Sequence, residues 1–341
     1  MTPQQIGLLL FASGITSWLL TIALRRYALA RSLMDVPNAR SSHTVPTPRG
    51  GGVAIVVSAC AAFCWLYALG MVTATQFWSL VGSGIFIAAI GFLDDHGHIA
   101  ARWRLLAHFI AATWALGWLE GTPALDIAGI TIEPGWVGNI LAAFFLVWML
   151  NLYNFMDGID GIASVEAICV CLGGAILYLL TGYAQAAWLP LSLAAAVAGF
   201  LVWNFPPARI FMGDAGSGFL GIVLGIMSLQ AGAVSSPLFW AWLVLLGVFI
   251  VDATLTLLRR LARGDKVYQA HRSHAYQYAA RRHGGHRPVT LAVAAINVCW
   301  LLPIAAAIAL GWLDDLMGLL LGYAPLVVLA LYYDAGKPEP R

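Results

Sequence analysis

Long apolar runs alternate with short polar links along almost the whole chain, and each run approaches the roughly 20 residues needed to cross a bilayer core. The pattern predicts eleven helical spans at about 5–24, 52–70, 76–93, 103–120, 138–153, 161–181, 186–203, 216–233, 236–258, 288–309 and 313–333. The expected fold is therefore an all-α polytopic membrane protein. The links leave no room for a separate soluble domain, so residues 1–341 should form one integral-membrane unit. Only LDIAGITIEPGWVG, residues 125–138, breaks the pattern: its alternation with Gly and Pro predicts a small β-hairpin outside the membrane.

Composition agrees, with 61% of 341 residues hydrophobic and 10% charged. Charge then sets the orientation. With the N-terminus outside, all 18 Lys and Arg fall on cytoplasmic connections or at their edges. Five precede residue 52, Arg102 and Arg104 follow the third span, Arg209 follows the seventh, eight lie in 259–287 and two in the tail. The positive-inside rule thus predicts an outside N-terminus and a cytoplasmic C-terminus. A cleaved signal peptide fits poorly, because no positive charge precedes the first apolar run while Arg25 and Arg26 follow it. The five cysteines fall inside apolar spans without a C-x-x-C pair and read as packing residues. No nucleic-acid partner is expected.

Four polar clusters share the cytoplasmic side: DVPNARSSHTVPTPRGGG (35–52), GFLDDHGHIAARWR (91–104), NLYNFMDGIDGIA (151–163) and WNFPPARIFMGDAGSGFLG (203–221). One such cluster alone would read as a helix terminator; four on one face point to a site. Asp94 and Asp95 are successive, so on a helix they diverge by about 100° and would rarely serve one cap. Residues 151, 154, 157 and 160 recur every third position, with Gly158 and Gly161 expected to end the helix within the motif. Crowded carboxylates call for a bound cation or basic partners. GDAGSG at 213–218 opens a span, so free backbone N–H groups there would suit a phosphate, with Asp214 holding a metal on it. Hard carboxylate oxygens favour magnesium over zinc.

The basic segment 259–287 adds His271, Arg272 and His274. It can be read as a surface for anionic lipid heads, as a zinc site at His271 and His274, or as a clamp closing over the phosphates of a nucleotide sugar. The other clusters favour the clamp.

Together, DD at 94–95, NLYNFMDGIDG at 151–161, NFPPARIFMGDAGS at 204–217 and the basic His-containing loop resemble the polyprenyl-phosphate N-acetylhexosamine-1-phosphate transferases, of the glycosyltransferase family 4 type. The resemblance covers nearly the whole chain, including the eleven-span layout. It implies a multi-pass protein of the bacterial inner membrane, its N-terminus and hairpin periplasmic and its active site on the cytoplasmic face. It also implies transfer of a sugar 1-phosphate from a UDP-N-acetylhexosamine to undecaprenyl phosphate, releasing UMP. Magnesium is the implied cofactor with manganese as the alternative, membrane lipids surround the protein, and a homodimer is among the possible assemblies. By resemblance, Asp214 is the metal ligand, Asp94 and Asp95 the catalytic pair, and Asn154, Asp157, Asp160, Asn204 and Phe211 line the nucleotide pocket. His43 and Arg49 match a loop beside the active site, and His271, Arg272 and His274 a phosphate or sugar site. The last loop departs from the family's H-x-H-H arrangement, since Tyr276 and Gln277 replace the later histidines. Its HRSHAYQ form resembles the subgroup that starts O-antigen chains.

A transporter is the competing reading, with the carboxylates on a proton or cation path and Glu166 and Asp252 inside spans. The gathering of carboxylates at one face and the lack of a convincing inverted repeat weigh against it.

Overall fold

The computed structural model describes residues 2–37, 42–97, 99–127, 130–265 and 271–338. His98, the hairpin tip, residues 266–270 of the basic loop and the end of the tail lie outside the described residues. The helices are α1 (Pro3–Ala30), α2 (Val53–Ala68), α3 (Ala74–His96), α4 (Ala101–Trp118), α5 (Gly135–Met156), α6 (Ile162–Leu180) and α7 (Trp188–Asn204). The chain continues through α8 (Asp214–Val234), α9 (Ser236–Leu245), α10 (Gly247–Ala262), α11 (Ala275–Arg282), α12 (His286–Ile296), α13 (Leu302–Ala309) and α14 (Asp315–Tyr332).

Among the described residues, eight helical segments are long and apolar enough to cross a membrane, or nine if the bent pair α9–α10 counts as one span. This is a multi-pass membrane protein. The other two expected spans correspond to α2, an apolar helix of 16 residues, and α4, whose first turn carries Arg102 and Arg104. The sequence reading differs from the structure at 236–258, where the expected continuous helix turns by 69° between α9 and α10. No proline marks that bend; Leu246 and Gly247 end one helix and begin the next. A π turn at Asn297–Leu301 likewise joins α12 to α13 within a single span.

The central helix is α8, with 89% of its apolar window buried, against 17% for α1 at the periphery. Lipid offers no hydrophobic drive between helices, so close approach of backbones has to supply the packing. Helix α8 meets that need with Gly and Ala residues that let α3 and α5 pack tightly against it. Large side chains at the periphery face outward instead: Trp136 is 75% exposed and Trp312 78%, as interfacial anchors would be.

The expected hairpin forms, with β3 (Leu125–Ile127) antiparallel to β4 (Ile130–Ile132) at the end of the bundle away from the four polar clusters. A second pairing, β1 (Met34–Asp35) with β2 (Thr47–Pro48), folds the link between α1 and α2 back on itself. Its exit strand runs on into backbone bonds with the loop before α8: Phe211 N–H donates to the Pro48 carbonyl at 2.8 Å, and Gly51 and Gly52 N–H donate to the Phe211 and Met212 carbonyls. Two links more than 150 residues apart in sequence thereby form one wall.

Candidate active site

Each element brings one side chain or two to the same end of the bundle. Helix α3 ends on Asp94 and Asp95, whose side chains part as their succession requires. Asp94 Oδ1 accepts the Ile99 N–H at 2.7 Å and Oδ2 lies 2.5 Å from Arg104, so it sits behind the site, holding the turn into α4. Arg104 also reaches Asp214 Oδ2 at 3.3 Å and links the two carboxylates.

Asp95 corrects an expectation. Its Oδ1 accepts the Asp214 N–H at 3.3 Å, and its Oδ2 lies 3.5 Å from the Ala215 nitrogen. The first N–H groups of α8, expected to be free for a phosphate, are therefore capped by a carboxylate from another helix. The fit depends on two glycines. A Cβ at Gly91 would come within 2.5 Å of the Asp214 carbonyl, and one at Gly213, where φ is +76°, would meet Asp95 Oδ2 at 2.6 Å. The Arg49 guanidinium closes the outer side, donating to the Asp95 carbonyl with its Nε 4.0 Å from Oδ1.

Helix α5 stops at Met156, so the three-residue spacing of the motif is helical only for its first half. Asn151 turns toward His108, 3.2 Å away, and Asn154 donates to Asp214 Oδ1 at 2.9 Å. Beyond the helix end, Asp157 and Asp160 are carried by a turn. Burial holds the Asp157 carboxyl well above the usual carboxylate range, and Asp214, Asp95 and Asp160 add to the shift by repulsion. Asp160 Oδ2 accepts the Ala208 N–H at 2.9 Å.

Asn204 is 2% exposed and bridges two segments. Its side-chain oxygen accepts the Gly161 N–H at 3.1 Å and its nitrogen donates to the Ile210 carbonyl at 3.0 Å. Phe211 meets the His43 ring edge-on, 4.8 Å between centroids.

The result is a cleft of about 620 Å³ lined by Asp95, Asn154, Asp157, Asp160, Asn204, Phe211, Asp214, His43 and Arg49, nine residues singled out from the sequence. Asp94, His271, Arg272 and His274 are not among its lining residues. His274 is buried, with Nδ1 3.3 Å from Asp252 Oδ1. Burial and the neighbouring His274 push His271 down to about 3, so at neutral pH it brings no positive charge. Arg272 is half-buried, and its carbonyl accepts from Arg281.

The sequence reading missed His286. Its Nε2 donates to the Ser42 carbonyl at 3.0 Å, since a carbonyl can only accept, and its Nδ1 lies 3.1 Å from Asp160 Oδ1. Ser42, Asp35 and Gln277 also line the cleft. The signal was present, because His286 closes the basic segment, but nothing in the sequence pairs it with Asp160.

The two intramembrane acids of the transporter reading are engaged elsewhere. Glu166 accepts from Asn297 at 2.7 Å. Asp252 receives the Ala275 and Tyr276 N–H groups, each at 3.0 Å, and so holds the N-terminus of α11.

The profile of Glycosyl transferase family 4 matches residues 77–232. The chain is 31% identical over 310 residues to a decaprenyl-phosphate N-acetylglucosaminephosphotransferase of Mycolicibacterium smegmatis, covering 78% of this chain and 73% of that protein. It is 29% identical over 276 residues to a Bacillus subtilis protein named "Probable undecaprenyl-phosphate N-acetylglucosaminyl 1-phosphate transferase", covering 80% and 76%. A phospho-N-acetylmuramoyl-pentapeptide-transferase of Moorella thermoacetica is 35% identical over 157 residues, covering 42% and 49%.

Proposed function

The chain belongs to the polyprenyl-phosphate N-acetylhexosamine-1-phosphate transferase family, and on that premise we propose that it transfers an N-acetylhexosamine 1-phosphate from a UDP-sugar to undecaprenyl phosphate. UMP leaves, and the lipid-linked sugar begins a surface polysaccharide such as O-antigen, at the cytoplasmic face of a bacterial inner membrane. The observation that carries this reading is the convergence of nine residues, from links separated by up to 171 positions (His43 to Asp214), on one cleft at a helix-bundle end. The names of the relatives support a polyprenyl phosphate acceptor and favour N-acetylglucosamine as the sugar.

Magnesium fits the donor set. Among the described residues no three His, Cys, Asp or Glu side chains form a ready-made cage. Magnesium seldom uses one: it is held by one or two carboxylates together with substrate phosphates and water. Asp214 would hold it, with Asp157 beside it; burial raises the Asp157 carboxyl most, and the repulsion from Asp214, Asp95 and Asp160 that adds to it is what a cation would relieve. When bound, the ion neutralises the pyrophosphate and the charge that develops on it.

The chain's own residues then have separable tasks. Asn154 and Arg104 fix the two oxygens of Asp214. Asp95 fixes the start of α8 beneath it and, with both oxygens turned to that helix, is poorly placed to attack phosphorus itself. A lipid phosphate monoester has a second pKa of about 6, so most of it is dianionic at neutral pH and needs little help from a base. Direct in-line attack without a phospho-enzyme follows.

The test is product analysis with purified protein, undecaprenyl phosphate, magnesium and a panel of UDP-N-acetylhexosamines. Lipid-dependent UMP is expected, and the best donor names the sugar. Release of UDP would mean ordinary glycosyl transfer and overturn the reading. Stoichiometric UMP without lipid, together with a labelled aspartate, would replace direct attack by a two-step displacement.

A further inference from the structure

Helix α11 has two working faces. Gln277 and Arg281 turn toward the cleft and the polar annex that extends it. Ala279 and His283, which follows the helix end, turn the other way and line a separate slot of about 350 Å³, closed by α10, α12 and α14. Tyr276 also lines it, and its hydroxyl reaches across to donate to the Phe155 carbonyl at 2.9 Å. The slot opens at the periphery of the bundle, where its lining residues Ala292 and Leu329 are exposed, and narrows inward. Val251, Val289, Val293 and Leu326 line it and are each at most 7% exposed, yet a void remains between them. Its one carboxylate, Asp252, is committed to the N-terminus of α11.

The mouth of the slot is cationic and aromatic. The Arg282 guanidinium lies over the rings of Tyr332 and Tyr333, 4.7 and 5.9 Å from their centroids. His283 Nε2 is 2.8 Å from the Tyr333 hydroxyl. An apolar slot entered past a basic, interfacial rim matches a lipid with one chain to bury and a negative phosphate to pair. A phosphate at that rim is on the opposite side of α11 from Asp95 and Asp214, so this lipid would not be the one that reacts.

We propose that the slot between α10, α11, α12 and α14 binds one acyl chain of an anionic glycerophospholipid, with its phosphate against Arg282 and His283. Filling the slot would brace α11 and, through it, the Gln277 wall of the cleft. The test does not require turnover, so it stands or falls independently of the transferase reading.

Native mass spectrometry of the full-length protein, titrated with phosphatidylglycerol or phosphatidylcholine, is expected to show one phosphatidylglycerol retained preferentially. Ala292→Trp at the mouth and Arg282→Glu at the rim should each weaken that retention by about tenfold or more, while Arg102→Glu on α4, equally basic but remote, leaves it unchanged. Leu329→Trp fills the slot from the facing wall and replaces Ala292→Trp if that variant aggregates. Unaltered retention in the slot-filling variants would overturn the proposal. So would equal loss in Arg102→Glu, which would mean surface charge alone, or one-for-one displacement by undecaprenyl phosphate, which would give the slot to the acceptor.

Discussion

Asp157 is the residue where function and stability oppose each other most directly. Its carboxyl is raised above the ordinary 3.8 by burial and by three neighbouring aspartates. The folded state therefore binds this proton more tightly than the unfolded chain, and stability contributed by the protonated form is lost as pH rises from the ordinary value through the raised one. Asp157→Asn is expected to increase the melting temperature in detergent at pH 7, by a margin that shrinks toward pH 4, while lowering kcat by about a hundredfold. Thermal melts across that range check the sign; a wild type more stable than the variant at pH 7 would refute it. His286 makes a second case. It clasps Asp160 to the Ser42 carbonyl, and hydrogen bonds to charged groups contribute about 1.5–3 kcal/mol. His286→Ala should raise KM for the UDP-sugar about tenfold or more, with kcat less affected, as steady-state kinetics would show.

At the scale of elements, the crossing of α3 and α8 governs the site, because Asp95 reaches α8 only while the backbones stay close. Gly91→Ala adds a Cβ within 2.5 Å of backbone atoms of Asp214 and Ala215. Helix backbones cannot yield as a side chain could, so α3 must shift. A displacement of about 1 Å costs on the order of a hundredfold in rate. Gly7→Ala, which meets nothing within 4 Å, serves as the control and should retain full activity. Helix α11 obeys a similar logic at its N-terminus. Asp252→Ala removes the acceptor for two N–H groups, a loss of about 1–2 kcal/mol for a cap, and should speed limited proteolysis of the 263–275 link before global unfolding.

For the whole molecule the testable quantity is sidedness. Single cysteines at Trp136 and Arg102, in a background lacking the five native cysteines, should label from opposite sides of an intact membrane, Arg102 only after inner-face access. Labelling of both from one side would refute the charge-based topology. The annex beside the cleft, lined by Arg281, Arg287 and Thr44, lies on the same end as Arg102 and belongs to the same compartment in this arrangement.

Much of this was legible in one dimension, since bilayer thickness imposes a length on every span and lipid imposes an apolar composition. Those constraints alone mark the helices and the polar links, alternation with Gly and Pro marks a hairpin within 125–138, and local motifs mark Asn154, Asp157, Asp160 and Asp214. Partnerships between links were not legible. His286 and Asp160 are 126 positions apart, Asp95 and Asp214 are 119 apart, and no local pattern records either contact. The same limit hid the 69° turn between α9 and α10 and the capping of α11 by Asp252. Sequence by itself determined which segments are apolar and long enough to enter a membrane and which polar residues flank them, because solvent selects those by composition. Only the tertiary structure decided that Asp95 caps α8 and that His286 clasps Asp160, because those partnerships depend on which backbones approach closely enough to exchange hydrogen bonds.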